Sequence, residues 1–588
     1  MSLALVRVLI GVAVIALMAS PLFLSPFNIT LLNYIGIYSL VVLGVILLSG
    51  VGGMLSFGQA AFVGIAAYAT AWVSALQGYS PWLGLILGIA AVAIVALVVG
   101  LVTLRLSGHF LSLATIAWGL SAFYLFGTIP GFGHHSGIVE VPPISIGSLS
   151  FAANNRIFFL IWPTLLIGLL LSYNLLNSRQ GRALRALRGG ALLVESCGIN
   201  EYRIKLATFL LAALLAALSG WFYAHMSRFV APSAFDVRLS IDYILMGVIG
   251  GMQYLLGSIV GSAVVILLKD NIETYLPLIT KSGGKLDTIV FAILYILLLQ
   301  HARGGALPIF AGFFRVERQP TRTDADPMTR RQQPTGGTPL LKVDQVTRRF
   351  GGLTAVNNVS FELRAGEIIG LVGPNGAGKT TLFNLITGAL SADSGTVTFG
   401  GQDITRWPTR RIARSGIART FQHVKIRPKM TLLDNVLLGT YSRTKSGFFT
   451  GALRLDRAEE ASARLEATRL LERVGLANRM FDLAGNLPLG NQRILEVARA
   501  LAVDPTLLIL DEPAAGLREQ EKRALSALLR TLRDESLTIL LVEHDMNFVM
   551  NLVDRMVVMD FGVKLCEGSP REVRADPKVQ EAYLGGVA

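Results

Sequence analysis

Long apolar runs dominate the first 300 residues of this chain, and short apolar runs between polar ones fill the remainder. A helix needs about 20 mostly apolar residues to cross a bilayer, because hydrocarbon offers its backbone no hydrogen-bond partners. Several runs in the first part predict such helices. They cover residues 3–24, 29–49, 53–77, 81–104, 109–129, 157–176, 205–227, 239–268 and 286–302.

The first run has a second interpretation as a cleaved signal peptide. Arg7 precedes its apolar residues, which end in small ones near Ala19 and Ser20. Its N-terminal region carries little positive charge, and another apolar run follows at once. We therefore expect the first run to be retained as a spanning helix.

Basic residues predict the orientation, because loops rich in Lys and Arg stay cytoplasmic. The loop from 178 to 205 is the clearest, whereas the loop 130–156 holds only Glu140 and Arg156. Counting spans backward places Arg105 and the N-terminus with Arg7 inside. The cationic loop contains Arg179, Arg182, Arg185, Arg188, Arg203 and Lys205.

The far end of the apolar part is also predicted to lie inside, from Arg303, Arg315 and Arg318. An even number of crossings must then follow residue 205. The run 239–268 must therefore fold back at Gly250-Gly251, although its length is too short for two full vertical helices at about 1.5 Å per residue. We predict two short or tilted helices there and an all-α polytopic membrane domain of about ten helices.

Glycine is dense between Gly50 and Tyr68. Close packing of neighbouring helices is the interpretation we favour. The alternative is a discontinuous helix that lines a substrate path, with Ser56 and Gln59 as polar contacts. Three more polar residues lie in or beside apolar runs, where a satisfied or interfacial position suits them: His109, His225 and Asp242.

Charge divides the chain in the same place as hydropathy. Residues 1–318 hold 17 Lys+Arg and 9 Asp+Glu, and the remaining 270 hold 36 and 30. This asymmetry excludes a secreted enzyme, a disordered protein and a simple soluble globule. Cys197 and Cys566 are too few for a disulfide framework or a metal cluster. The net charge of +14 is spread over membrane edges and the polar half, so we expect no nucleic-acid partner.

Residues 315–339 read as a linker with little to bury, between a membrane domain at 1–314 and a second domain at 340–588. Met328 is a methionine in the position expected for the first residue of a formerly separate second chain. We therefore infer that two once-separate chains were joined here.

Short β-rich runs at 340–346, 359–363 and 367–372 lead into a glycine loop and a helix. Such a loop lets backbone N–H groups surround the β and γ phosphates, while Lys379 adds a charge and the Thr380 hydroxyl can bind Mg²⁺. The context predicts an α/β P-loop domain that binds ATP and Mg²⁺. The phosphate-binding residues are predicted to be Gly373, Pro374, Asn375, Gly376, Ala377, Gly378, Lys379, Thr380 and Thr381.

Two further apolar runs end in polar residues suited to the same site. The run from Leu507 ends in Asp511 and Glu512, which we expect to hold Mg²⁺ and to activate the attacking water, respectively. The run from Thr538 is followed by His544, which a parallel neighbouring strand would bring to the same sheet edge.

Residues 340–588 resemble the ATP-binding subunits of ABC transporters, through Gln422 in Arg-Thr-Phe-Gln-His and a signature segment at 487–493. The usual signature begins Leu-Ser-Gly-Gly-Gln; this chain keeps Leu487 and Gly490 but has Pro488, Leu489 and Asn491 at the other positions. This proline is usual in the branched-chain amino acid subclass. The motifs Ala-Ala-Gly-Leu at 514–517 and Asp-Phe-Gly at 560–562 also resemble those of that subclass.

That resemblance implies further roles. Phe350 would stack on adenine, Gln422 would sense the γ-phosphate and contribute to the Mg²⁺ site, and His544 would be the switch histidine. Each nucleotide would lie between the glycine loop of one subunit and the signature of another, so a single copy cannot close the site. The signature residues implied to bind it are Leu487, Gly490 and Asn491.

The membrane part resembles the LivM-type permeases of branched-chain amino acid importers, through residues 55–68, 178–188 and 198–200. The segment 178–204 would then be the coupling helix that docks on an ATP-binding subunit. Gly189 and Gly190 replace the polar residues usual after its arginines.

Together these resemblances imply one chain that carries a permease and its ATPase and imports branched-chain or related hydrophobic amino acids. The implied partners are a second permease, a second ATP-binding subunit and a periplasmic binding protein, with a hetero-assembly favoured over a homodimer. The location would be a bacterial inner membrane with the ATPase cytoplasmic. Alternatives are a cargo of urea, short amides or aromatic acids, an exporter, and a nucleotide-regulated channel or scaffold.

Overall fold

A computed structural model of the chain describes residues 3–106, 109–280, 289–290, 293, 296–297, 300, 304–307 and 325–584. The chain divides into two compact units, the first made of Met1–Asn177 and Tyr202–Gln319 and the second of Ser178–Glu201 and Pro320–Ala588. Outside the described residues lie most of the predicted last span at 286–302, the linker part 315–324, and the basic residues Arg303, Arg315 and Arg318.

The first unit is helical, as the apolar runs predicted. In its described part, six helices are long and apolar enough to cross a membrane. This confirms an all-α polytopic membrane domain. Its helices are α1 (Leu3–Ala19), α2 (Pro26–Val45), α3 (Gln59–Ala71), α4 (Pro81–Thr103), α5 (His109–Thr128), α6 (Asn154–Leu176), α9 (Glu201–Ser227), α10 (Val237–Gly250) and α11 (Gly257–Thr280), whereas α7 (Arg179–Ala186) and α8 (Ala191–Ser196) lie in the second unit.

The predicted fold-back at Gly250-Gly251 is confirmed. Helix α10 ends at Gly250, Gly251 adopts a φ of 107°, and α11 returns beside it. A Cβ on Gly261 would lie 1.8 Å from the Met246 carbonyl oxygen. Helix α11 continues to Thr280, twelve residues beyond the predicted apolar run, because Lys269, Asp270 and Glu273 interrupt its hydropathy without ending the helix.

The glycine-rich stretch both breaks a helix and packs closely. Helix α2 continues as a wider turn over Ile46–Val51, residues 53–58 are irregular, and α3 begins at Gln59. A Cβ on Gly50 would lie 1.8 Å from the Met252 carbonyl oxygen. Ser56 and Gln59 are buried. The substrate path along them stays a prediction.

His225 occupies a satisfied position inside the first unit, as expected. Its Nε2 lies 2.9 Å from the Thr70 hydroxyl and its Nδ1 lies 2.7 Å from the Pro142 carbonyl oxygen. The nearby loop forms two small antiparallel pairings, β1 (Ile138–Val139) with β4 (Phe229–Val230) and β2 (Ser145–Ile146) with β3 (Leu149–Ser150).

The second unit is built on two sheets, as the predicted α/β domain requires. The larger has the order β10-β11-β12-β7-β13-β14, parallel except for β14, and the smaller is antiparallel with the order β6-β5-β8-β9. The strands are β5 (Pro339–Phe350), β6 (Leu353–Arg364), β7 (Ile368–Val372), β8 (Ser394–Phe399), β9 (Gln402–Asp403), β10 (Ile417–Arg419), β11 (Leu507–Asp511), β12 (Thr538–Val542), β13 (Arg555–Asp560) and β14 (Val563–Gly568).

Helices cover the larger sheet, whose central strands β7, β11 and β12 are buried along their whole length. Buried strands of this kind read as continuous apolar runs, which is why the sequence revealed them. The helices of the second unit are α7 (Arg179–Ala186), α8 (Ala191–Ser196), α12 (Lys379–Ile386), α13 (Thr409–Ser415), α14 (Leu432–Leu437), α15 (Phe448–Ala452), α16 (Arg457–Arg473), α17 (Leu489–Leu501), α18 (Glu519–Asp534), α19 (Met546–Met550), α20 (Pro570–Ala575) and α21 (Pro577–Leu584).

The described end of the predicted linker has fixed contacts within the second unit. Met328 packs against the core cluster of that unit. The Arg331 guanidinium donates to the carbonyl oxygens of Ser415 and Arg414, and the Gln333 amide donates to the Pro505 carbonyl oxygen at 3.2 Å. The amino-acid composition of the segment did not indicate these contacts, because only a few of its side chains make them.

Candidate nucleotide site and basic segment

The glycine loop between β7 and α12 needs backbone conformations that other residues rarely adopt. Gly376 and Gly378 have φ values of 84° and 94°. A Cβ on Gly373 would lie 2.1 Å from the Met559 carbonyl oxygen, and one on Gly378 would lie 2.3 Å from that of Ala355. Glycine is therefore required sterically, and the loop leaves α12 pointing its N-terminus at the cavity, where a phosphate is favoured.

Lys379 begins α12 and bends back over the loop. Its ammonium donates to the carbonyl oxygens of Gly373 at 2.7 Å and Pro374 at 2.8 Å. Burial lowers the pKa of Lys379, against the opposing effect of Glu512 and Asp511. These acidic neighbours offset part of the cost of burying the ammonium group.

Asp511 ends the buried strand β11 and is 3% exposed. Burial raises its pKa to about 6, with Arg419 opposing the rise and Glu512 adding to it. One carboxylate oxygen, Oδ1, is buried without a hydrogen-bond partner. An orphaned carboxylate oxygen is the donor that Mg²⁺ prefers, so Asp511 fits the predicted metal role, with the exposed Thr380 hydroxyl at the start of α12.

We expect Asp511→Asn to stabilise the nucleotide-free protein at neutral pH. An unfolded Asp has a pKa of about 4, whereas Asp511 in the folded protein has a pKa of about 6. The contribution of Asp511 to the stability of the folded state is therefore fully present below pH ~4 and is lost as the pH rises through about 6. Asparagine does not ionise, so the variant keeps the ~2–3 kcal/mol of unfolding free energy that the wild type loses at neutral pH. Thermal unfolding of the ATPase part should occur several degrees higher than in the wild type at pH 7.5 and at a similar temperature at pH 4.5. Equal shifts at both pH values would contradict this explanation.

Glu512 lies at the meeting point of the predicted catalytic residues. The Gln422 amide donates to its Oε2 at 3.2 Å, and His544 Nδ1 lies 3.7 Å from its Oε1. Strands β11 and β12 pair in parallel, with Asp511 beside Val542, so the expected meeting of Glu512 and His544 at one sheet edge is confirmed. Glu512 has a φ of 47°, a conformation uncommon outside glycine.

Two residues that sequence reasoning did not assign hold this edge in place. The Arg493 guanidinium donates to the carbonyl oxygens of Glu512 at 2.9 Å and Gln422 at 3.3 Å. The buried Glu543 carboxylate accepts the N–H groups of Ala514 at 2.8 Å and His544 at 3.1 Å. No local motif distinguishes them, because the partners of Arg493 and the Ala514 partner of Glu543 lie in other parts of the sequence.

The cavity beside the loop has a volume of about 410 Å³ and includes Phe350, Gln422 and Glu512 among its lining residues. Phe350 is 43% exposed and Phe561, which also lines the cavity, is 88% exposed. Two accessible rings offer flat faces to a base, although only Phe350 was expected from the sequence. The predicted loop residues 375–381 all line this cavity, whereas Gly373, Pro374, Asp511 and His544 lie outside its lining.

The signature segment lies elsewhere in the unit. Leu487 and Gly490 are buried, and Gly490 packs against Glu521, whose Oε1 would lie 2.4 Å from an added Cβ. Pro488 precedes the first turn of α17. None of Leu487, Gly490 and Asn491 lines the glycine-loop cavity.

The basic segment 178–201 belongs to the second unit and packs on it closely. The Arg179 guanidinium lies 3.7 Å from the centre of the Tyr441 ring and donates to the Ser446 carbonyl oxygen at 2.8 Å. Gln180 donates to the same Ser446 oxygen at 2.7 Å and accepts from the Tyr441 hydroxyl at 3.2 Å. These contacts fix the first turn of α7.

Arg182 forms a bidentate ion pair within the second unit. Its guanidinium forms two parallel hydrogen bonds to Glu460, at 2.8 and 2.6 Å, and is 2% exposed. Burial opposes the charge, but the Glu460 carboxylate raises the pKa of Arg182 overall. Arg410 forms an ion pair with Glu195 of the segment at 3.2 Å. The arginines that predicted orientation therefore also serve as docking groups.

Comparison with known protein families gives matches in both parts of the chain. Residues 27–299 match the family described as branched-chain amino acid transport system / permease component. Residues 356–515 match the ABC transporter family, and residues 563–588 match the branched-chain amino acid ATP-binding cassette transporter family.

Individual relatives match the second part. The high-affinity branched-chain amino acid transport ATP-binding protein LivG of Salmonella typhimurium is 46% identical over 250 residues, 42% of this chain and 98% of LivG. LivG of Escherichia coli K12 is 45% identical over the same shares. A probable LivG of Archaeoglobus fulgidus is 37% identical over 42% of this chain and 95% of that protein. A nucleotide-free ATP-binding cassette of known structure is 31% identical over 42% of this chain and 99% of its own length, with a TM-score of 0.38.

Proposed function

We propose, on the premise that this chain belongs to the branched-chain amino acid ABC transporters and joins a permease to its ATPase, that it imports branched-chain or related hydrophobic amino acids. One observation carries the proposal. Helices α6 and α9 of the membrane unit are joined by the segment 178–201, which folds as part of the ATPase unit. A movement of that unit is therefore transmitted along the chain to two apolar helices.

The site residues have distinct roles in this proposal. The loop N–H groups and Lys379 bind the phosphates of ATP, and Phe350 stacks on the adenine. Glu512 accepts a proton from the attacking water, while Gln422 and His544 orient that water and the γ-phosphate. Mg²⁺, held by Thr380, Asp511 and Gln422, would neutralise charge that develops on the phosphates.

We propose that further subunits complete the transporter. The glycine-loop cavity lacks the signature segment of its own chain, which supports closure by Leu487, Gly490 and Asn491 of a second ATP-binding subunit. We propose a second permease and a second ATPase as heteromeric partners, with a homodimer as the alternative, and a periplasmic binding protein that delivers cargo. The N-terminus and the ATPase would be cytoplasmic, in a bacterial inner membrane.

Transport into proteoliposomes tests the proposal. The full assembly, with its binding protein, should take up labelled leucine, isoleucine or valine when ATP is supplied on the ATPase side, and should take up little with ADP or a non-hydrolysable ATP analogue. Equal leucine flux with ATP, ADP and the non-hydrolysable analogue would favour the alternative function, a nucleotide-regulated channel. Uptake of urea, short amides or aromatic acids in place of leucine would instead assign the same machinery another cargo.

A further inference from the structure

A cavity in the membrane unit carries more charge than a spanning helix bundle normally holds. Its volume is about 410 Å³, and it lies among α2, α9, α10 and α11. Apolar groups line it too, including Leu239 and Ile272. The charged side chains of this mixed-charge cavity are two cations and three carboxylates, from Arg238, Lys269, Asp236, Asp242 and Glu273.

Among the residues that the structure describes, no ion pair joins any two of these five charged residues. The Asp236 Oδ1 atom caps α10 by accepting the Leu239 N–H at 3.1 Å. Ionisable side chains within a membrane domain are costly, and they normally face a water-filled cavity or a functional partner.

The mixed-charge cavity reaches deep into the helical unit. Tyr38, in its lining, is at the middle of the 26-residue span Pro26–Val51. The Tyr38 ring meets the Tyr243 ring edge-on, with centroids 5.5 Å apart, and Asp242 directly precedes Tyr243. Asp242 therefore lies close to the mid-height of that span.

The other end of the cavity lies away from the α10–α11 turn. Those two helices run antiparallel, with Gly261 against Met246, so Lys269 and Glu273 on α11 lie on the Asp236 side of the hairpin. By the predicted topology this side faces outward, opposite the basic loop. These charged residues thus lie on the side from which a cargo would enter.

We propose that the mixed-charge cavity binds the transported amino acid as a zwitterion, an inference that rests on the proposed import function. Asp242 pairs with the α-ammonium group and Lys269 with the α-carboxylate. The aliphatic side chain packs against Leu239, Ile272 and the Tyr38 ring. Urea is neutral and an aromatic acid without an amino group is anionic, so each would leave a charge of the cavity uncompensated.

Direct binding of labelled leucine to the purified assembly in nanodiscs, without nucleotide or binding protein, tests this assignment. Asp242→Asn and Lys269→Met should each weaken binding by about tenfold or more, the loss of one charge-assisted contact. Asp270→Asn is the matched control, since Asp270 is on the same helix as Lys269 but does not line the cavity. It should bind leucine like the wild type.

Two leucine analogues give a readout that a structural defect would not produce. 4-Methylpentanoate lacks the ammonium group and 3-methylbutylamine lacks the carboxylate. Asp242→Asn should lose its preference for leucine over 4-methylpentanoate, and Lys269→Met its preference over 3-methylbutylamine. A further variant keeps all charges: leucine should slow maleimide labelling of Ala234→Cys, a lining position, as measured by mass spectrometry.

The results separate this inference from the import function. Unchanged leucine affinity in both charge variants, or no leucine protection at position 234, would overturn the cavity assignment even while the wild type still takes up leucine with ATP. An absence of ATP-driven leucine uptake by the wild type would overturn the function. Loss of binding in Asp270→Asn to the same degree as in Asp242→Asn would also overturn the cavity assignment.

Discussion

Glu512→Gln should lower ATP hydrolysis by ~10²–10⁴-fold, the usual contribution of a general base, and should leave ATP bound. The glutamine keeps the size of the side chain and can still meet the Gln422 amide, which now donates to Glu512 Oε2 at 3.2 Å. It cannot accept the proton of the attacking water. Phosphate release, together with labelled ATP retained after rapid gel filtration, measures both effects, and leucine uptake should stop with hydrolysis.

A matched control distinguishes this chemistry from a general effect of charge. Glu519→Gln makes the same substitution at a side chain that is 76% exposed and does not line the cavity. It should hydrolyse ATP at the wild-type rate. If Glu512→Gln also did so, Glu512 would not be the base, and import at an unaltered rate would remove hydrolysis as its motor.

Arg182→Ala should uncouple hydrolysis from transport. The guanidinium is 2% exposed and bidentate to Glu460, so its removal leaves a carboxylate in a partly buried site that also contains Asp456. Breaking a buried ion pair costs ~3–5 kcal/mol, enough to displace the segment 178–201. Leucine uptake should fall at least about tenfold while ATP hydrolysis continues, and the ratio of the two rates measures the loss.

Two further variants make that result specific. Arg457→Ala removes an exposed arginine from α16, the helix that carries Glu460, and should leave the ratio unchanged. The reciprocal exchange Arg182→Glu with Glu460→Arg should recover part of the coupling, because it restores opposite charges. Full coupling in Arg182→Ala alone would mean that this contact does not transmit the movement.

The sequence identified the elements whose chemistry is local. Apolar length alone located the spanning helices, since every backbone group in hydrocarbon must be paired within its own helix. The glycines of the phosphate loop were equally readable, because Gly373 and Gly378 leave no room for a Cβ. The fold-back at Gly250-Gly251 followed from counting charges and crossings.

Other features needed partners that sequence order does not supply. Helix α11 extends past its apolar run because Lys269 and Glu273 face a cavity, and hydropathy alone reads such residues as the end of a span. Met328 and Arg331 dock a stretch that composition describes as a linker. Arg493 holds Glu512 and Gln422 through backbone oxygens, which no motif records.

Apolar periodicity, glycine spacing and the placement of carboxylates after buried strands therefore determined what this chain is: a helical membrane part followed by a P-loop ATPase. Only the tertiary structure decided that residues 178–201 fold with the ATPase, that Arg182 pairs with Glu460, and that five charged residues line one cavity. The physical reason is that backbone requirements act over a few neighbouring residues, whereas ion pairs and cavities join side chains brought together from distant parts of the chain.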